Sequence, residues 1–180
     1  MTLLHLLNDR LSWHSRAEWD IALALLARFF ERYDADLAKV KEHARSIREG
    51  IDAVNSFLQL NTAEVCPHCT KVCCANRHGY YDHEDLIYIH ALGLRPPRYR
   101  EGIDDSASCQ FIAPNGCTIE RSLRPFRCNW YFCDPLLQHM SNGPARPYRA
   151  FIAQFQRIIE ARRQMVDEFF KTVYAKNDGL

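Results

Sequence analysis

The feature that most limits the folds open to this chain is an apolar stripe at alternating steps of four and three. It runs Trp19, Leu23, Leu26, Phe30, Tyr33, Leu37, Val40, Ala44, Ile47, Ile51, Val54 and Leu58. Such spacing stacks one apolar residue per turn on the same side of an α-helix, a period no strand reproduces. Ser15-Arg16-Ala17-Glu18, at the head of the stripe, has the form of a capping box. The pattern predicts helix over residues 16–60, a rod of about 65 Å if unbroken. Its weak points are Tyr33-Asp34-Ala35-Asp36 and Gly50, because Asp and Gly are poor helix formers. A second stripe follows at Ile152, Phe155, Ile159, Val166, Phe169 and Val173. Arg162 takes one seam position there, where its stem is expected to pack while its charge reaches water.

Between the stripes the chain changes character. All eight prolines fall between Pro67 and Pro147 and all eight cysteines between Cys66 and Cys133, whereas the flanks hold only Gly50 and Gly179 from the helix-breaking set. The expected organisation is mainly α. An N-terminal helical arm (1–61) and a C-terminal helical arm (148–180) flank an irregular cysteine-rich module (62–147) of short helices, turns and metal loops. The arms are expected to pack antiparallel and, with the module, to form one compact unit. The stripes suit a helical hairpin within one chain; the alternative is a homodimer through the long seam or an unknown protein partner.

The segment CPHCTKVCC, residues 66–74, packs four cysteines into nine positions. Thiolates separated by two residues reach a single ion, as Cys66 and Cys69 would. Thiolate donors select zinc, copper(I) or iron–sulfur chemistry over hard cations. Adjacent side chains in extended backbone point to opposite faces, so Cys73 and Cys74 are not expected to bind one ion side by side. With Cys109, Cys117, Cys128 and Cys133 the eight thiols suffice for two four-cysteine sites shared between the clusters, or for one site with spare thiols. His68, His78 and His83 lie close enough in sequence to complete a site.

Disulfides are the competing use of an even cysteine count. The N-terminus, MTLLHLLNDRLSW, has no basic segment before its leucines, is interrupted by His5, Asn8, Asp9 and Arg10, and is followed by no small-residue cleavage site. No window approaches the eighteen or so apolar residues of a membrane span. The expectation is a cytoplasmic protein without a membrane segment, in which thiols stay reduced. A proline-rich module of this size gains from a staple, and structural zinc supplies roughly 10 kcal/mol or more of apparent folding free energy. A net charge of +1 argues against a strong nucleic-acid binder.

With both clusters in view, residues 66–133 resemble the YkgJ-type cysteine-cluster family, described as a zinc- or iron-chelating domain. The resemblance rests on the dense opening cluster ending in Cys73-Cys74 and on the helix-like stretch His83-Glu84-Asp85-Leu86-Ile87 with Ala91-Leu92-Gly93-Leu94. It also rests on CQFIAPNGCTIERSLRPFRCNWYFC, with a glycine before Cys117 and Arg124-Pro125 ahead of Cys128 and Cys133. The chain departs from the family in having three residues between Cys69 and Cys73, Glu120 where tyrosine is usual, and Asn129 where arginine often stands. The resemblance implies eight cysteine ligands, Cys66, Cys69, Cys73, Cys74, Cys109, Cys117, Cys128 and Cys133, for zinc or an iron–sulfur cluster.

Three functions follow. The first is a metal-binding module, with Phe111, Phe126, Trp130, Tyr131 and Phe132 shielding the centre. The second is an iron–sulfur enzyme, redox or, as in flagellin lysine methylases carrying this cluster type, methyl-transferring. In it Arg124 and Arg127 would bind an anionic substrate, and His78, Asp82 or His83 would move protons. The third is a zinc-stabilised protein-interaction module. No Gly-rich phosphate loop, nucleophile elbow or zinc-protease helix motif is present.

Overall fold

Ser15 does cap the first helix: the Glu18 backbone N–H donates to Ser15 Oγ at 3.3 Å, and α1 runs Arg16–Arg32. The computed structural model describes residues 15–69, 79–97, 100, 102–104, 106–114 and 116–176. Its helices continue with α2 (Ala38–Val65), α3 (His83–Ala91), the single turn α4 (Arg127–Trp130), α5 (Asp134–Asn142) and α6 (Ala145–Lys176). One antiparallel hairpin, β1 (Ile112–Ala113) with β2 (Gly116–Cys117), is the only sheet among the described residues. The fold is mainly α, as the periodicity predicts. No described helix is long and apolar enough to cross a membrane.

The long N-terminal stripe divides where its aspartates fall. Residues 33–37 form turns between α1 and α2, with Leu37 N–H still donating to Tyr33 O at 3.1 Å. Gly50, the other expected weak point, lies inside α2, and the helix runs through it unbroken. The reason is packing. A Cβ built at Gly50 would stand 2.6 Å from Ile158 Cγ1 and 3.1 Å from Gln154 Nε2, so the missing side chain lets α6 approach closely. Leu37, Val40, Ala44, Ile47, Ile51, Val54 and Leu58 are all buried within the single chain.

The C-terminal stripe is displaced by one residue over its first half. Ile152 and Ile159 are 37% and 47% exposed, while Phe151, Ile158, Arg162, Met165, Phe169 and Val173 are buried. Neighbouring apolar residues at 151–152 and 158–159 leave the face ambiguous to periodicity, and packing decides it. Pro147 fits the first turn of α6, where a backbone N–H would have no helical acceptor.

The chain folds into two compact units, each assembled from segments distant in sequence. The first comprises residues 1–46, 80–103 and 161–180. There α1 packs on α3, and its rings interlock: Phe29 meets Phe169 edge-on at 5.4 Å, Phe30 stacks on Phe169 at 5.8 Å and on His90 at 6.0 Å, and Trp19 lies against Tyr81 at 6.1 Å. Lys176 joins Asp36 at 2.7 Å and lies over the Tyr33 ring.

Arg162 belongs to this unit, and its charge does not reach water. It is 6% exposed, with Nη2 at 3.1 Å from Asp82 Oδ1 and 3.0 Å from Asp85 Oδ1, and Nε at 3.1 Å from Glu84 Oε2. All three acids sit at the start of α3, which Asp82 caps. The Asp85 N–H donates to Asp82 Oδ1 at 2.8 Å, and the Asp82 N–H donates back to Asp85 Oδ2 at 3.1 Å. Acidic residues already favour this end of a helix, and the seam arginine satisfies them.

The second unit comprises residues 47–79 and 104–160. Phe57, Phe151, Phe155, Phe126 and Phe132 form its aromatic core, with Phe57–Phe151 at 4.9 Å and Phe132 edge-on to both Phe151 and Phe155. Leu136 and Met140 of α5 are buried as well.

Candidate metal centre

The six described cysteines of the expected ligand set, Cys66, Cys69, Cys109, Cys117, Cys128 and Cys133, all lie in the second unit and all are free thiols. Cys73 and Cys74 lie outside the described residues, as does His78.

Each cysteine is delivered by a short local structure. At the end of α2 the chain tightens into a 3₁₀ turn, Cys66–His68, with Pro67 in its first positions, and the Cys69 N–H donates to Cys66 O at 3.1 Å. Positions i and i+3 stack in a helix of three residues per turn, so this turn suits a Cys-x-x-Cys pair. His68, at its end, is exposed.

Cys117 lies in the β-hairpin, in which Ile112 pairs with Cys117 and Ala113 with Gly116, and Cys109 stands just ahead of its first strand. The Ile112 N–H donates to Cys109 O at 3.0 Å, and the Thr118 N–H donates to Phe111 O at 2.9 Å. This hairpin is absent from the sequence expectations, yet Pro114-Asn115-Gly116 is a run of turn-forming residues. Burial pushes the Cys109 thiol up from its ordinary range; a backbone hydrogen bond at Phe111 opposes this, and neighbouring Cys117 adds to it. The chain returns from the opening cluster beside this pair. Gly79 has φ +63°, and a Cβ there would stand 2.8 Å from Phe111 Cδ2 and 3.1 Å from Cys109 Sγ.

Cys128 lies in α4, exposed, its N–H donating to Pro125 O at 2.8 Å. Cys133 is the N-cap residue of α5. The loop leading to them is pinned to α2. Arg121 Nε donates to Asn55 Oδ1 at 2.8 Å, Asn129 Nδ2 donates to Arg121 O at 3.4 Å, and Arg48 lies 3.6 Å from Glu120. Burial, followed by repulsion from Arg124, pulls the Arg121 guanidinium down to about 10, while Cys117 and Cys128 act in the opposite direction. Asn129 is itself buried, and its Oδ1 has no hydrogen-bond partner among the described residues.

Cys109, Cys117, Cys128 and Cys133 thus lie on consecutive short elements of the second unit. Among the described residues no group of three or more His, Cys, Asp or Glu side chains is arranged to hold a metal ion.

Other expected site residues have different partners. Asp82 caps α3 and pairs with Arg162. His83 opens α3 in the first unit. Arg124 Nε donates to Ile119 O at 2.9 Å, and Arg127 is exposed. Of the aromatic shell, Phe126 and Phe132 are partly buried and meet the Phe155 ring, whereas Trp130 is half exposed and meets Tyr131 edge-on. Compared with known proteins, the chain matches no family model, no curated protein and no solved structure.

Proposed function

We propose that this chain is a thiolate metal-binding protein of the cytoplasm, holding zinc or an iron–sulfur cluster through Cys66, Cys69, Cys73, Cys74, Cys109, Cys117, Cys128 and Cys133. One observation carries the reading. Cysteines spread from residue 66 to residue 133 belong to a single compact unit, delivered by tight turns and a hairpin and left as free thiols. Reduced thiols at such density favour thiophilic cations. Zinc would act there as a cross-link between loops, and an iron–sulfur cluster would add electron transfer. The residues of the chain do the positioning. The 3₁₀ turn presents Cys66 and Cys69, the hairpin carries Cys117, and the cluster of rings around Phe132 backs the loop that carries Cys128 and Cys133.

The deciding experiment is anaerobic purification of the full chain with measurement of zinc, iron, acid-labile sulfide and the visible spectrum. A brown sample containing iron and sulfide identifies the cluster, and a colourless zinc-loaded one identifies zinc. Reduced, folded protein that retains neither and takes up neither on reconstitution overturns the proposal.

A further inference from the structure

The two isoleucines that α6 leaves in solvent do not stand alone. Arg149, Ile152, Gln156 and Ile159 follow one another at steps of three, four and three, and all four are exposed. Such steps keep residues on one side of an α-helix, so they form a continuous outward line within the second unit. Arg146 and Arg157 are exposed further round the same helix. The charge along this half of α6 is one-sided. From residue 145 to residue 159 there are three arginines and no acidic residue, although the helix dipole favours an acid in the first turn. Among the described residues Arg146 and Arg149 have no anionic partner, and Arg157 meets neutral Gln154 at 3.5 Å. The later half of the helix differs: Arg163 pairs with Asp167 at 3.0 Å, and Lys171 with Glu168 at 2.7 Å. Local pairs of that kind stabilise an exposed helix from within, and residues 145–159 hold no acid to form one among themselves.

We propose that this face of α6 docks an acidic amphipathic helix of a partner protein, whose apolar side chains cover Ile152 and Ile159 and whose carboxylates meet Arg146, Arg149 and Arg157. Docking there requires no metal. Apolar residues spaced by whole helical turns are what a second helix packs against, and the unpaired arginines set the sign of its charge. A membrane surface fits this face less well. A helix lying in a lipid interface needs a broad apolar side, and the apolar side of this segment that carries Phe151 and Ile158 is already buried in the protein.

The test uses two fluorescent synthetic peptides of about three heptads each. Both carry leucine at the two apolar positions of every heptad; one has glutamate at the flanking positions and the other lysine. Fluorescence anisotropy follows each peptide as the full chain is added. The wild-type chain should bind the glutamate peptide, bind the lysine peptide about tenfold more weakly or worse, and lose affinity as salt is raised. Ile152→Ser with Ile159→Ser should weaken the glutamate complex by about tenfold or more, the scale of a central contact. Arg146→Glu, Arg149→Glu and Arg157→Glu together should reverse the preference towards the lysine peptide. All five positions are exposed, so the urea midpoint of each variant should stay close to that of wild type. No binding of the glutamate peptide, equal binding of both peptides, or affinity unchanged by the isoleucine substitutions overturns the inference. Should the serine variant fail to fold, the charge-reversed one decides, and an unreversed preference refutes the docking face. Sedimentation with vesicles containing anionic phosphatidylserine, abolished by charge reversal while the glutamate peptide stays unbound, would assign the face to a membrane and refute it as well.

Discussion

Replacing Arg162 with methionine tests the ion cluster at the head of α3. The side chain is 6% exposed and faces three carboxylates, but these do not count equally. The Asp82 and Glu84 side chains are about half exposed, at 50% and 48%, so water compensates them when the cation is gone, and each pair contributes little. Asp85 is different: its side chain is 4% exposed, and the loss of Arg162 leaves it a buried charge. Breaking a buried pair from one side costs about 3–5 kcal/mol. For a chain of this length that corresponds to a fall in Tm of about 6–20 °C. Urea and thermal denaturation followed by circular dichroism would measure it. The companion variant Arg162→Met with Asp85→Asn removes both charges and keeps an acceptor for the Asp82 N–H, so it should regain much of the loss. A single variant within about 1 kcal/mol of wild type, at the level of a surface pair, would refute this account of the cluster. So would a double variant showing the plain sum of its parts.

Two further outcomes follow from particular residues. Gly79→Ala should destabilise the chain by about 1–3 kcal/mol, from its left-handed backbone and the contact with Phe111 and Cys109; an unchanged urea midpoint would contradict the close packing described. His90 has its pKa lowered by burial against Phe30, despite backbone hydrogen bonds at Leu86 and Leu23 that oppose the shift. The unfolded chain therefore binds a proton there that the native state resists, and stability should fall as pH drops below about 6.5, the ordinary histidine value. Urea unfolding at neutral and mildly acid pH should show a smaller acid loss for His90→Phe than for wild type, and equal losses would rule this group out.

The helical architecture was legible because its cause is local and repetitive. Steps of four and three over forty residues have one regular solution, and Asp34 and Asp36 marked the interruption through their weak helix propensity. The cysteine clusters were equally visible, since a crowd of thiols in CPHCTKVCC is chemically unusual wherever the chain folds. The hairpin that holds Cys117 left its own signal in the turn-forming run Pro114-Asn115-Gly116.

Other outcomes depended on partners distant in sequence. Gly50 breaks a helix in isolation, yet here it supports one, because α6 comes so near that a Cβ would collide with Ile158. Whether residue 151 or 152 faces inwards could not be read from two adjacent apolar side chains; Phe57 and Phe132 settle it by packing on Phe151. Arg162 looked like a side chain reaching for water until three carboxylates 77 to 80 residues earlier met its guanidinium. Arg121 was one arginine among eighteen until the fold set its Nε against Asn55 Oδ1, 66 residues earlier. Periodicity and composition record what each residue prefers along its own helix or loop. The charge balance and close packing of a site arise from segments that meet only when the chain has folded.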